Sequence, residues 1–185
     1  MELALELAHK ANTLDENHKA GSYLLAYIYR QKGQYDKAIA EVEKLIDLEP
    51  NNASAYAYLG GMLYPLGRGD ETIAAMNKAI RLNPMPEVYY YYWLGMGHWV
   101  MGQYEEAIAA YKKAINLTPA AEYLHIVLTA TYSLMDRDKE ARAEAAEVLK
   151  VNPEFSVDRI AKTLPFKDKS YTDRYVNALR EAGLK

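Results

Sequence analysis

A proline returns on schedule along this chain. Pro50, Pro84, Pro119 and Pro153 stand 34, 35 and 34 residues apart, and each closes a similar phrase: LIDLEP, AIRLNP, AINLTP and VLKVNP. Self-similarity at a fixed period of roughly 20–50 residues marks one supersecondary unit copied and stacked, each copy covering an apolar face that its neighbour cannot bury alone. The period therefore constrains the fold more than any other feature. It favours a binding or scaffolding role and names no partner.

With the proline at position 32 of a 34-residue frame, the units run 19–52, 53–87 with one extra residue, 88–121 and 122–155. Apolar or small residues recur in the first half of each: Leu25, Ala26 and Tyr29; Leu59, Gly60 and Leu63; Leu94, Gly95 and His98; Leu128, Thr129 and Tyr132. The second halves carry Ala38, Val42, Leu45 and Ile46; Thr72, Met76, Ala79 and Ile80; Ala107, Tyr111, Ala114 and Ile115; Ala141, Ala145, Val148 and Leu149. These i, i+3, i+4, i+7 spacings put each set on one helical stripe, so every unit reads as two helices. Gly33, Gly67 and Gly102 fall between them, where a left-handed backbone is accessible without a Cβ clash, and Asp136 takes that place in the last unit. The proline stops the second helix. Pro65 is an intruder: it removes a donor and meets the carbonyl of Gly61, so the first helix of the second unit should kink or end early.

This pattern resembles the tetratricopeptide repeat across residues 1–155. Segments such as QKGQYDKAIAEVEKLIDLEPNN and MGQYEEAIAAYKKAINLTP carry the likeness. The resemblance implies an all-α, right-handed solenoid of antiparallel helix pairs. Residues 1–18 fit the frame only as a second helix, with Ala4, Ala8, Ala11 and Leu14 on its stripe, so the chain reads as part of a longer protein. After Pro153 the period fails, and residues 156–185 read as a helical cap over the last unit, using Phe155, Leu164, Phe166, Tyr175 and Leu179. That tail, PEFSVDRIAKTLPFKDKSYTDRYVNALREAGLK, is similar to the segments closing the C-terminal tetratricopeptide region of bacterial multidomain proteins, class III adenylate/guanylate cyclases among them. The likeness implies a bacterial signalling parent with a catalytic domain elsewhere, and it transfers no catalytic residue to this chain.

The family's first helices line a concave groove through positions 2, 5, 9 and 12. That frame implies groove candidates Tyr23, Tyr27 and Arg30 in the first unit and Tyr64 in the second. It adds Tyr89, Tyr92, Met96 and Trp99 in the third, and Tyr123 and Ile126 in the fourth. The implied ligand is a peptide or partner domain gripped by apolar and hydroxyl contacts, centred on the third unit. The same rings could equally pack against neighbouring helices. An alternative reading is a self-association module that holds its parent as a homodimer. The family's carboxylate clamp is missing, because Tyr23 and Tyr27 stand where its Lys and Asn would be.

Composition narrows the rest. With 22 Lys and Arg against 25 Asp and Glu, the chain has no basic excess for nucleic acid. It has no Cys, its His residues lack metal spacing, and no catalytic constellation is visible, so neither enzyme activity nor a cofactor is expected. No apolar run is long enough to insert in a membrane, and the N-terminus lacks the basic-then-apolar order of a signal peptide, which reads as cytoplasmic. Tyr outnumbers Phe 17 to 2. A core built for burial alone would not need so many hydroxyls, whereas surfaces that are half wet use them.

Overall fold

The computed structural model describes residues 19–185. The half-repeat expected over 1–18 lies outside the described residues.

Four antiparallel helix pairs follow one another. They are α1 (Lys19–Gln31) with α2 (Tyr35–Leu48), α3 (Ala53–Leu63) with α4 (Gly69–Leu82), α5 (Val88–Val100) with α6 (Tyr104–Leu117), and α7 (Glu122–Ser133) with α8 (Asp138–Val151). Two shorter elements complete the chain, α9 (Val157–Ala161) and α10 (Lys169–Glu181). From α1 to α8 each helix packs on the next in sequence, and α3 also meets α5, so the first helices line up along one face of the stack. Among the described residues there is no strand.

The pairing follows from residue size. Ala26, Ala38, Ala107 and Ala114 are fully buried where the helices of a pair cross. At Gly95 the approach is closest, since an added Cβ would lie 2.2 Å from the Tyr111 ring. Gly33, Gly67 and Gly102 adopt φ of 69°, 77° and 72° in the turns, and Asp136 takes the same left-handed conformation at φ 55°. Pro65 acts as its chemistry requires: α3 stops at Leu63 and the chain continues as a 3-10 turn, Tyr64–Leu66, before Gly67. Asn52 caps α3, its side chain accepting from the Ala55 N–H at 3.1 Å.

The tail takes a route that the sequence pattern does not announce. Residues 156–185 do more than cover the end of the last pair. After α9 the chain crosses the inner face of the stack as an irregular strap, residues 162–168, and α10 then lies against α7. The Lys167 N–H donates to the Pro65 carbonyl at 2.8 Å, and the Tyr35 hydroxyl donates to the Pro165 carbonyl at 3.1 Å. The strap thus reaches back to the first two pairs. The tail closes on itself where the Val157 N–H donates to the Lys185 carbonyl at 2.8 Å and Arg180 pairs with Asp158 at 2.7 Å.

Candidate functional site: a groove in two parts

The inner face is a row of first helices, and the tail divides it. Over the third and fourth pairs the groove is filled. Trp99, fully buried, stacks on Phe166 with ring centroids 5.6 Å apart and planes 26° from parallel. Tyr175 meets the same indole edge-on at 5.6 Å, and the Arg174 guanidinium lies 4.5 Å from its ring centre. Phe166 also touches Tyr64 edge-on at 6.0 Å. One ring from the strap therefore bridges the second and third pairs. Asp168 starts α10 firmly, its carboxylate accepting from the Ser170 N–H at 2.8 Å.

Over the first to third pairs the groove is open. A cavity of about 450 Å³ is lined by Tyr27, Arg30, Tyr58, Gly61, Met62, Glu87, Tyr89 and Trp93. Its wall rings belong to an edge-on run: Trp93 on Tyr89 at 4.8 Å, Tyr58 on Trp93 at 6.2 Å and, behind the wall, Tyr23 on Tyr58 at 5.3 Å. Gly61 makes room for the indole, because a Cβ there would stand 2.8 Å from the Trp93 ring. Between the two parts lies a second cavity of about 320 Å³. The solenoid contributes Arg30, Gln31, Tyr35, Tyr64, Tyr92, Tyr123, Ile126 and Val127, and the tail contributes Ile160, Thr163, Leu164, Pro165 and Tyr175.

The residues singled out in the sequence are thereby sorted. Tyr27 is half exposed, at 50%, and Arg30 and Tyr89 are partly buried in the open cavity. Tyr23 is partly buried, its hydroxyl donating to Asn52 at 3.1 Å. Tyr92 and Tyr123 meet edge-on at 5.3 Å and face the junction cavity with Tyr64 and Ile126. Met96 accepts at its sulfur from the Tyr111 hydroxyl at 3.1 Å and is buried, as is Trp99 behind the strap. Among the contributors that escaped the sequence reading are three aromatic ones. Trp93 sits one position from the inward register, and the signal that could have found it is Gly61 in the unit before. Tyr58 belongs to the same run. Tyr175 lies in the tail, outside the repeat frame. His98 contacts Gln103 at 2.7 Å in the turn after α5, whereas His125 is buried, with Nδ1 2.7 Å from Glu144 and Nε2 3.1 Å from the Pro119 carbonyl.

The electrostatics are uniform. Burial pushes the phenols of Tyr64, Tyr92, Tyr111 and Tyr175 above their ordinary value, and those of Tyr35 and Tyr123 move the same way. The Arg30 charge opposes that rise at Tyr35 and Tyr64, and its guanidinium also hydrogen-bonds the Tyr64 hydroxyl. At neutral pH the junction thus presents neutral O–H groups and one cation, Arg30. Among the described residues, no group of His, Asp and Glu is placed to hold a metal ion, and no helix is long and apolar enough to cross a membrane.

Two stretches match family models, residues 26–67 one described as "TPR repeat" and residues 88–121 one described as "Tetratricopeptide repeat". A putative adenylate cyclase 3 of Rhizobium meliloti is 52% identical over 44 residues, 24% of this chain and 8% of that protein. A TPR repeat-containing protein of Methanocaldococcus jannaschii is 34% identical over 88 residues, 48% of this chain and 15% of that protein. The chain thus spans a small fraction of the length of these relatives. Among solved structures, PilW, a type IV pilus biogenesis factor, superposes with a TM-score of 0.77 at 19% identity, covering 95% of this chain and 79% of its own. YrrB, described as a TPR protein with an unusual peptide-binding site, gives 0.67 at 18%, covering 96% and 91%. At such identities the likeness establishes the fold.

Proposed function

We propose, from the premise that this chain is a tetratricopeptide-repeat protein and hence a protein-interaction scaffold rather than a catalyst, that it takes up a partner peptide in the open half of its groove. The carrying observation is the cavity of about 450 Å³ walled by Tyr58, Tyr89 and Trp93, with Tyr27 half exposed at its rim. Rigid rings with wet edges supply contact area at little entropic cost, and binding energy concentrates in a few of them. Tyr92, Met96, Trp99 and Ile126 would join the ligand surface only with the strap displaced. The description of YrrB as having a peptide-binding site supports a peptide ligand for this type of solenoid.

The parent we propose is a cytoplasmic bacterial signalling protein of adenylate cyclase type, with this chain as its C-terminal interaction region. The short match to the Rhizobium cyclase supports that reading.

Peptides selected on the full chain from a random library test the groove. Replacing Tyr89 and Trp93 with Ala should weaken the selected peptides roughly tenfold or more, about 1.4 kcal/mol, while circular dichroism stays near wild type. Selected peptides that bind the double variant normally would sink the proposal.

A further inference from the structure

Arg30 has an unsolved charge problem. It stands in the last turn of α1 and borders both cavities. Among the described residues no carboxylate pairs with it, and its Nε is buried without a hydrogen-bond partner. Its polar side-chain partner is the neutral Tyr64 hydroxyl. A second guanidinium with buried nitrogens that make no hydrogen bond, on Arg174, is sandwiched against Trp99 and Tyr171 at 4.5 and 5.1 Å. Arg30 has one ring, Trp93, at 5.9 Å, near the limit of a useful cation–π contact. A partly buried cation with no counter-charge is costly, and such costs persist where a ligand removes them.

The junction cavity beside it has matching chemistry. Its lining holds no Asp or Glu, and Arg30 is its one charged residue. Tyr35 is committed to the Pro165 carbonyl. The Tyr64 and Tyr92 hydroxyls bond to each other, and Tyr64 also bonds to Arg30, while Tyr123 and Tyr175 add neutral hydroxyls that can donate. One cation balances one negative charge. A dianion would also meet the negative end of the α1 dipole, which disfavours it. Ile126, Val127 and Leu164 give the cavity an apolar wall, and about 320 Å³ lies at the small end of ligand pockets.

We infer that the junction cavity is a binding site for a small organic monocarboxylate with an apolar body, its carboxylate held by Arg30 and the surrounding tyrosine hydroxyls. Because the walls come from solenoid and tail together, a bound carboxylate fastens the strap in place and stabilises the folded chain by mass action. The site is distinct from peptide uptake in the open half, which the Tyr89→Ala, Trp93→Ala double variant tests separately, so either reading can fail alone.

Benzoate and hexanoate are the probes, with benzyl alcohol as the uncharged counterpart of benzoate. Added to the full chain, the carboxylates should raise Tm and shift the Arg30 Nε–H resonance downfield in a 15N-arginine spectrum, and benzyl alcohol should do neither. R30Q should lose roughly tenfold or more in benzoate affinity, as expected for removing a charge-assisted pair. R30K keeps the charge without the planar fork and identifies the resonance by its loss. The inference is overturned if neither carboxylate moves the Nε–H signal at millimolar concentration, if benzyl alcohol acts as well as benzoate, or if folded R30Q binds benzoate as tightly as wild type. Should R30Q fail to fold, the resonance in the wild-type chain decides.

Discussion

The two halves of the groove each take an indole from α5, and the two indoles end in opposite states. In the filled half, Trp99 of α5 is sealed by Phe166, Tyr175 and Arg174. In the open half, Trp93 of the same helix leans over Gly61 and faces a cavity. Six residues of α5 separate a core indole from a surface one. Trp99 holds the inward register and Trp93 stands one position from it; the tail folds back over Trp99 and leaves Trp93 beside the open cavity.

That contrast can be broken most completely with alkali. The Tyr64, Tyr92, Tyr111 and Tyr175 phenols sit above their ordinary value because burial penalises the phenolate. A raised folded-state value means that the native chain holds its protons more tightly. The contribution to stability is therefore full below the unfolded value of about 10 and is lost as pH climbs beyond it. We expect phenolate absorbance and loss of helical circular dichroism to rise together above about pH 10. Titration of all phenols with helicity intact would show that the filled half is wet.

Substitution separates the two indoles next. Trp99→Ala should cost about 3–5 kcal/mol in urea denaturation, the range for a fully buried aromatic. Trp93→Ala should cost well under half of that, because its ring is only partly buried. Equal losses would mean that the open cavity is a packing defect with no surface role.

The smallest effect concerns the glycines beneath the rings. Gly95→Ala drives a Cβ into the fully buried Tyr111 ring at 2.2 Å and should destabilise by about 1–3 kcal/mol. Gly61→Ala meets the Trp93 ring at 2.8 Å, and a ring beside a cavity can tilt away. Its melting temperature should move little while affinity for selected peptides changes. A Gly61→Ala protein that melts as low as Gly95→Ala would show that Trp93 is held as rigidly as Tyr111.

Several features were legible before any coordinates. The period dictated helix pairs, because stripes at i, i+3 and i+4 need a partner of the same period. The turn glycines and Asp136 occupy left-handed positions as their place in the phrase implied. Pro65 stopped α3 for a reason written in its ring. These are local consequences, decided within a few residues by sterics and backbone hydrogen bonds.

The tail's route and the charge at the junction belong to tertiary structure alone. Tyr35 and Pro165 are 130 residues apart and share a hydrogen bond, and Lys167 meets Pro65 across the groove. No periodicity encodes a contact between a repeat and a segment outside the repeat. The same limit hid the difference between Trp93 and Trp99, and it left Arg30 a groove candidate with no sign of its missing counter-charge. The sequence by itself determined a stack of helix pairs with an aromatic inner face. The folded chain decided which aromatics are core and which remain available, because a side chain's environment depends on everything that reaches it in space.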